Sequence, residues 1–300
     1  MITDSMALCN SCPWRPLCGG WSAGSCSLSL DGSCSVCADC CVHDPDRFSR
    51  MVNEVRGLQL SDVKAQPQSI PVIPRRVVKF RDGDLYGRGW PADPVIATTL
   101  DSIIKRQHAT RQRNRMSPTS LLTLDGCCRD RVLEDLWRRR GRFSLYDRIQ
   151  KEEPCVLIAP DMSVYVDMPA CHKLYQIKRT FLMYAHYQRH GLYAIPFLAP
   201  DNEAHALHLA SWLRANKCVT HVAASFQTLQ RRRDVWRRHM QLLERIRDEI
   251  LPRRLVWVLI GQKPQSVLDS RLGHVCYIVA GPKFKIMRRL RADRQIPWSF

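Results

Sequence analysis

Long hydrophobic runs are absent from this chain of 300 residues. The longest apolar stretches, such as Leu255–Ile260, are far too short to cross a bilayer. The first residues, Met1–Asp4, have neither the basic nor the apolar region of a secretory signal. We therefore expect a cytoplasmic protein without a membrane segment and without a membrane partner.

Two glycine-rich phosphate-binding motifs are also missing. The sequence contains no GxGxxG and no Walker A motif. These motifs bring backbone N–H groups close to the phosphates of dinucleotides and nucleoside triphosphates. A nucleotide-cofactor function therefore has no support in the sequence.

Acidic side chains are few relative to basic ones. The chain has 28 Asp and Glu against 46 Lys and Arg, which gives a net charge of +18. Residues 1–60 hold four basic and six acidic side chains, so residues 61–300 carry +20. Such an excess favours a polyanionic partner, because basic side chains that bind phosphates release counterions. We expect nucleic acid as this partner; a solvated basic surface is the alternative.

Arginines occur in clusters that suit phosphate binding, since a guanidinium group binds phosphate oxygens in a fork. The last cluster lies in a basic tail, residues 283–300 (KFKIMRRLRADRQIPWSF), in which apolar residues are interleaved. Such a tail can also bind a protein partner or lie on an anionic membrane. The residues we assign to nucleic-acid binding are Arg231, Arg232, Arg233, Arg237, Arg238, Arg288 and Arg289.

Eight of the 14 cysteines fall within residues 9–41. The first run, CNSCPWRPLCGGWSAGSC, begins with a Cys-x2-Cys turn, which brings two sulfurs onto one ion or cluster. The second run, Cys-x2-Cys-x2-Cys, suits a cubane 4Fe-4S cluster, which we prefer to zinc held by four thiolates or to buried reduced thiols. We expect a metal module over residues 1–60, with one site or two. Its predicted ligands are Cys9, Cys12, Cys18, Cys26, Cys34, Cys37 and Cys40.

The segment from Cys9 to Gly20 resembles the auxiliary-cluster motif of the SPASM domains attached to radical SAM enzymes. This resemblance covers about a dozen residues and implies an iron–sulfur cluster. The radical SAM core motif, three cysteines spaced by three and then two residues, is absent from the sequence. The activity of those enzymes is therefore not implied.

After a linker predicted at residues 61–76, which contain three prolines, short apolar runs alternate with stretches of helical periodicity. Helices are predicted over Lys173–His190 and Asp234–Ile250. Repeated strand–helix units predict a parallel sheet covered by helices, over residues 77–282. Eight strands suit a (β/α)8-like barrel, and an open doubly wound sheet is the alternative. The predicted strands are Val77–Phe80, Val95–Thr99, Leu121–Leu124, Val156–Ala159, Leu192–Leu198, Val219–Ser225, Leu255–Ile260 and His274–Val279.

Two aspartates, Asp125 and Asp161, each follow a predicted apolar strand directly. Function in parallel α/β folds gathers at the C-terminal ends of strands, where a carboxyl group in a cleft can acquire the raised pKa that acid–base catalysis needs. We predict Asp125 and Asp161 as catalytic residues; capping of the next helix is the alternative for each. Other polar residues at predicted strand ends are Ser163, Asp201, Asn202, Ser225, Gln227 and Gln262.

The segments LTLDGCC, LIAPDMSVYVDMP, IKRTFLMYAHYQRHGLYAIPFLAP and VTHVAASFQTLQRRR resemble the barrel of the tRNA-guanine transglycosylase superfamily, most of all its deazapurine DNA-modification branch. Asp125-Gly126, Asp161 and Arg179-Thr180 match, in order, that family's D-S-G-G turn, its later aspartate and its R-T pair. The resemblance covers roughly residues 120–280 and implies a barrel that modifies a purine base in DNA or RNA. Asp125 and Asp161 would contact or protonate that base.

The chain departs from the family in three ways. Its D-S-G-G turn has become D-G-C-C, which lacks the second glycine. Residues 274–281, HVCYIVAG, contain no carboxylate where the family has its nucleophile. The family's C-terminal zinc site has no counterpart. The sequence therefore leaves two main hypotheses, a transglycosylase-like enzyme and a non-catalytic, metal-bearing nucleic-acid-binding subunit of a mobile-element or defence complex. A role as an electron-transfer partner is a third hypothesis, but it does not explain the net charge of +20 over residues 61–300.

Overall fold

Eight short parallel strands form the centre of the molecule in the computed structural model, which describes residue 15 and residues 45–80, 95–104, 121–162, 164, 170–227, 233–261 and 271–280. They pair in the order β5-β4-β3-β2-β1-β8-β7-β6, so the first and last strands lie side by side. The predicted α/β class with a parallel sheet is thus confirmed. The strands are β1 (Arg76–Phe80), β2 (Val95–Thr99), β3 (Leu121–Asp125), β4 (Val156–Ile158), β5 (Ala194–Ile195), β6 (His221–Ser225), β7 (Val256–Ile260) and β8 (Val275–Ala280).

The two outermost strands in this order, β5 and β6, are in contact through the segment that follows β5. Phe197 forms an isolated parallel bridge with Ala223 of β6. The N–H of Leu198 donates to the carbonyl of Ala223 over 2.7 Å, and the N–H of Ala223 donates to the carbonyl of Pro196 over 2.9 Å. Main-chain hydrogen bonds therefore link both ends of the strand order.

Seven helices are described, and the strand–helix alternation from β2 onward follows the predicted pattern. The predicted helices Lys173–His190 and Asp234–Ile250 are confirmed as α5 and α7. The side chain of Asn202 caps α6 by accepting from the N–H of His205 over 2.9 Å. The helices are α1 (Pro45–Glu54), α2 (Leu100–Ile104), α3 (Asp130–Arg138), α4 (Phe143–Gln150), α5 (Ala170–Arg189), α6 (Glu203–Ala215) and α7 (Arg233–Glu249).

Helix α5 is buried around most of its circumference, including Lys178 and Arg179. The chain before β1 covers it. Residues 57–75, here called the strap, have no helix or strand, yet the indole N–H of Trp212 donates to the carbonyl of Val63 over 2.7 Å. The strap is also held by hydrogen bonds from Ala65 to Asn216, from Gln66 to Gln188, from Gln68 to Leu192, and from Lys178 to Gln59 and Asp62. The predicted linker thus lies against the body along its length.

Residues at the end of the predicted metal module pack with the body. Phe48 and Val52 of α1 are buried in the same hydrophobic core as the strands, as are Val55, Leu58 and Leu60. Glu54, at the end of α1, forms an ion pair with Arg140 over 2.7 Å. Residues 45–60 are therefore part of the body's core. The predicted metal ligands, and Arg231, Arg232, Arg288 and Arg289, lie outside the described residues.

Candidate functional site

Asp125 is the last residue of β3, and its side chain is completely buried. Lys79 of β1 forms an ion pair with its Oδ2 atom. The register accounts for this contact: Lys79 lies beside Ala97, Ala97 lies beside Thr123, and Asp125 is two residues further along the same face of β3. Lys79 is not among the site residues predicted from the sequence. A lysine in the apolar run RVVKF was the available signal, but it does not identify the partner.

The turn after β3 connects Asp125 to Asp161. The Oδ1 atom of Asp125 accepts the N–H of Cys127 over 2.8 Å, and the N–H of Asp161 donates to the carbonyl of Gly126 over 3.3 Å. A Cβ atom on Gly126 would lie 2.5 Å from the carbonyl oxygens of both Ile158 and Ala159. Only glycine fits this position, because backbone of the β4 end occupies the space of a side chain.

Neither aspartate caps a helix. The N-cap residue of α3 is Arg129, which makes no side-chain capping hydrogen bond. Helix α5, which follows Asp161, begins nine residues later at Ala170. The capping alternative therefore fails for both residues.

Asp125 and Asp161 differ in solvent exposure. Both oxygens of Asp125 have protein partners and the residue has no exposed surface, so it cannot touch a substrate in this conformation. A direct contact between Asp125 and a base would require another conformation, so the catalytic role of Asp125 stays a prediction. Asp161 is partly exposed. Burial raises the pKa of Asp161 to about 7, and the negative charges of Asp125 and Asp130 act in the same direction. Asp161 is thus the carboxyl that can exchange a proton near neutral pH.

The two cysteines of the turn remain thiols. Burial raises the pKa of Cys127 well above its ordinary value, with further contributions from Asp125 and Asp161. Burial also raises the pKa of Cys128 to about 12. Because the thiolate is the nucleophile and the metal ligand, neither cysteine is prepared for those roles at neutral pH.

The matched Arg179-Thr180 pair supports the turn that carries Asp161. The guanidinium of Arg179 binds both carboxylate oxygens of Glu134 at 2.8 Å and so joins α5 to α3. The hydroxyl of Thr180 accepts the N–H of Met162 over 3.3 Å. Both residues are buried, and their contacts are with protein groups.

A second polar group lies at the end of β5. Asp201 forms an ion pair with Lys173 of α5 at 2.7 Å. Burial lowers the pKa of His205 to about 4 and that of His239 to about 4. The ring of His239 packs edge-on against Phe226 with 4.9 Å between ring centroids, but its Nε2 atom is buried without a hydrogen-bond partner. The other ring nitrogen of His239 bonds the backbone of Pro200.

Other strand-end residues have local roles. The hydroxyl of Ser225 accepts the N–H of Gln227 over 3.3 Å. Gly261 has a φ of +79°, and a Cβ atom there would lie 2.7 Å from the side chain of Gln227. Ser163 and Gln262 lie outside the described residues.

The described arginines of α7 fall into two groups. Arg233, Arg237 and Arg238, in its first half, are exposed, and no acidic side chain in the described part of the chain pairs with them. In its second half, Arg245 pairs with Glu203 and Glu249, and Arg247 pairs with Asp248. Because α7 follows β6, its first turns lie near the C-terminal edge of the strands, as Asp161 does.

The arginines at the end of α3 are instead committed to protein groups. Arg139 pairs with Asp135. Arg140 pairs with Glu54, and its guanidinium lies 3.8 Å from the ring centroid of Trp137. Arg139 and Arg140 are therefore not available to bind phosphate in this conformation.

Within the described residues, no group of three or more His, Cys, Asp or Glu side chains is arranged to hold a metal ion. The six cysteines described there form no disulfide with one another. Nor does any helix among those residues have the length and apolarity needed to span a membrane.

The chain was also compared with known proteins by sequence and by structure. No protein-family model matches it, and neither a curated protein nor a solved structure shows significant similarity.

Proposed function

We propose that this protein binds nucleic acid and performs acid–base chemistry on a base at the C-terminal edge of its parallel strands, with Asp161 as the group that donates or accepts the proton. The observation that carries this proposal is the position of Asp161, partly exposed beside the buried carboxylate of Asp125. Its pKa of about 7 suits a general acid or base at neutral pH, because both protonation states are then populated.

The proposed architecture is a (β/α)8-like barrel. Two contacts support closure of the sheet: β1 pairs with β8, and Phe197 after β5 bridges to Ala223 of β6. With the resemblance of residues 120–280 to the transglycosylase superfamily, this architecture favours a purine base as the substrate group. In such barrels the active site lies where the strands end, as Asp161 does.

Nucleic acid is proposed as the partner because of charge. The net charge is +18, and the exposed arginines of the first half of α7 lack acidic partners among the described residues. They lie near the same edge as Asp161, so a phosphate backbone bound by α7 would keep a base within reach of that edge. Arg231 and Arg232 would extend this surface, and Arg288 and Arg289 would add contacts from the tail.

The proposed chemistry stops at proton transfer to or from the base. Strand β8 contains no carboxylate, so the family's covalent glycosyl-enzyme route has no nucleophile at the matching position. The protonated, half-buried thiols of Cys127 and Cys128 do not replace it.

A second candidate function is a non-catalytic nucleic-acid-binding subunit that carries an iron–sulfur or zinc module in the cytoplasm. The missing carboxylate in β8 and the inaccessibility of Asp125 favour it. For the module, we propose that the full chain purified without oxygen is brown and contains iron held by the cysteines of residues 9–40. A colourless protein with stoichiometric zinc would assign zinc instead.

Mass spectrometry of nucleosides tests the enzyme proposal. DNA and RNA are isolated from cells that produce the full chain, and the nucleosides are compared with those from cells that produce Asp161→Asn. We expect a modified nucleoside that disappears in the variant while affinity for nucleic acid is retained, because Asn keeps the size of Asp but cannot exchange a proton. Asp147→Asn is the control, since the side chain of Asp147 on α4 is 44% exposed and forms an ion pair with Lys151. If Asp161→Asn leaves the modification intact, the binding-subunit function takes its place.

A further inference from the structure

Lys79 is the only cation that contacts the carboxyl pair of the candidate site within the described residues. It lies on β1, is 8% exposed, and binds Oδ2 of the completely buried Asp125. Burial lowers the pKa of Lys79, but the charge of Asp125, with smaller contributions from Cys127 and Cys128, more than offsets this, so the pKa lies above its ordinary value. Lys79 is therefore positively charged at neutral pH.

The charges around Asp161 come from two neighbouring elements. Asp125, at the end of β3, and Asp130, at the start of α3, both disfavour its ionised form. Cys127 from the turn is also close, but its thiol is uncharged. On the side of α5, the neutral hydroxyl of Thr180 accepts the N–H of Met162, the residue after Asp161. Among the described residues, no cation acts on Asp161 as Lys79 acts on Asp125.

Two neighbouring carboxyl groups do not both ionise readily, because like charges repel, so the pair tends to keep one proton. A fixed cation beside one of them determines which carboxyl keeps it. Here Lys79 and the backbone N–H of Cys127 both bind the carboxyl group of Asp125, whereas Asp161 donates its backbone N–H to the carbonyl of Gly126 and is partly exposed.

We propose that Lys79 is a positioning residue for the pair: its ion pair holds the carboxyl group of Asp125, which leaves Asp161 as the carboxyl that takes up and releases the proton. Lys79 touches no substrate in this scheme and acts only through Asp125. The inference rests on the proposed function only for what the proton is used for. Which carboxyl carries the proton is a property of the free protein.

The test follows the carboxyl carbon of Asp161 by NMR in the full chain labelled with 13C-aspartate, with the signal assigned by its absence in Asp161→Asn. In the unsubstituted protein we expect a titration midpoint near pH 7. In Lys79→Met, Asp125 loses its cation and takes the proton, so Asp161 faces a neutral group. Its midpoint should move to lower pH by at least tenfold in proton affinity, roughly one pH unit. Lys79→Arg keeps the charge and should retain the neutral midpoint.

The double variant Lys79→Met, Asp125→Asn keeps the test decisive if the single variant does not fold, since it replaces the ion pair by two neutral groups of similar size. It should also show the lowered midpoint, because the charge of Asp125 is gone. An Asp161 midpoint that stays near pH 7 in the double variant, or that is not near neutral in the unsubstituted protein, overturns the proposal. The NMR titration does not depend on nucleoside modification. A failure of the proposed function would therefore appear in the mass spectrometry and not in the titration.

Discussion

Lys79 and Asp125 form a buried ion pair between β1 and β3, across the intervening strand β2. Such a pair adds little net stability compared with two apolar groups, since both charges have lost their hydration. Removing one partner is different, because the remaining group then either stays buried as an uncompensated charge or must change its protonation state. The pair therefore marks a place where a single substitution is costly and a paired substitution is not.

The first prediction concerns this asymmetry. Lys79→Met should lower the free energy of unfolding by about 3 to 5 kcal/mol, whereas the double variant with Asp125→Asn should recover most of the loss. Urea unfolding at neutral pH measures both values. As a control, Lys151→Met removes an exposed ion pair with Asp147 and should change the free energy by less than about 1 kcal/mol. If the double variant instead loses as much unfolding free energy as Lys79→Met and Asp125→Asn added together, the buried-pair account is contradicted.

Gly126 provides the second prediction. A methyl group there would overlap the carbonyl oxygens of Ile158 and Ala159, which belong to backbone and cannot turn aside. Gly126→Ala should therefore destabilise the fold by about 1 to 3 kcal/mol or more and should separate Asp161 from the β3 turn. Gly141→Ala is the matched control, because no atom lies within 4 Å of the added Cβ atom. Thermal unfolding of both variants makes the comparison, and a tolerated Gly126→Ala would refute the close approach of the two strand ends.

The strands and the two aspartates could be predicted from the sequence because both depend on local patterns. All eight predicted strands are found, each within a few residues of its predicted bounds, since short apolar runs bounded by polar turns identify buried parallel strands. Asp125 and Asp161 follow from the same pattern, as the residues that end or follow those runs. The apolar pattern does not predict that Asp125 is buried while Asp161 is partly exposed. The ion-pair partner of Asp125 is Lys79, which lies 46 residues earlier in the chain.

The strap and the burial of α5 could not be predicted for a related reason. Residues 61–76 lack periodicity, and their partners, such as Asn216 and Gln188, lie more than 100 residues away. Lys178 and Arg179 would be expected to face solvent because they are charged, yet the strap and Glu134 bind them. The arginines near Trp137 illustrate the same limit, because a cluster of like charges does not reveal acidic partners such as Glu54.

The third prediction follows from the raised pKa of Asp161. Its pKa is about 7 in the folded protein against 3.8 ordinarily, so between these values the folded state holds a proton that the unfolded state has released. The contribution of Asp161 to stability is thus fully present below about pH 4 and is lost as the pH rises through 7. Asp161→Asn should remove this slope and should be more stable than the parent at pH 8, by on the order of 2 kcal/mol, since partial exposure reduces the full effect. Urea midpoints of the two proteins from pH 4 to pH 8 measure the difference. Parallel curves would show that Asp161 ionises with an ordinary pKa.

The final prediction concerns the two halves of α7. Arg237→Ala together with Arg238→Ala should weaken binding to nucleic acid and should reduce the slope of log K against log salt by up to about two, because each lost phosphate contact removes about one unit of slope. The matched control is Arg245→Ala together with Arg247→Ala, which removes two cations from the same helix that are already paired with Glu203, Glu249 and Asp248. Fluorescence anisotropy with a short labelled DNA or RNA, over roughly 50 to 200 mM salt, gives both slopes. The two pairs change the net charge equally, so a general effect of charge predicts equal slopes. A difference confined to the first pair would locate the phosphate contacts on the half of α7 that lies near Asp161, and equal losses would exclude a specific surface there.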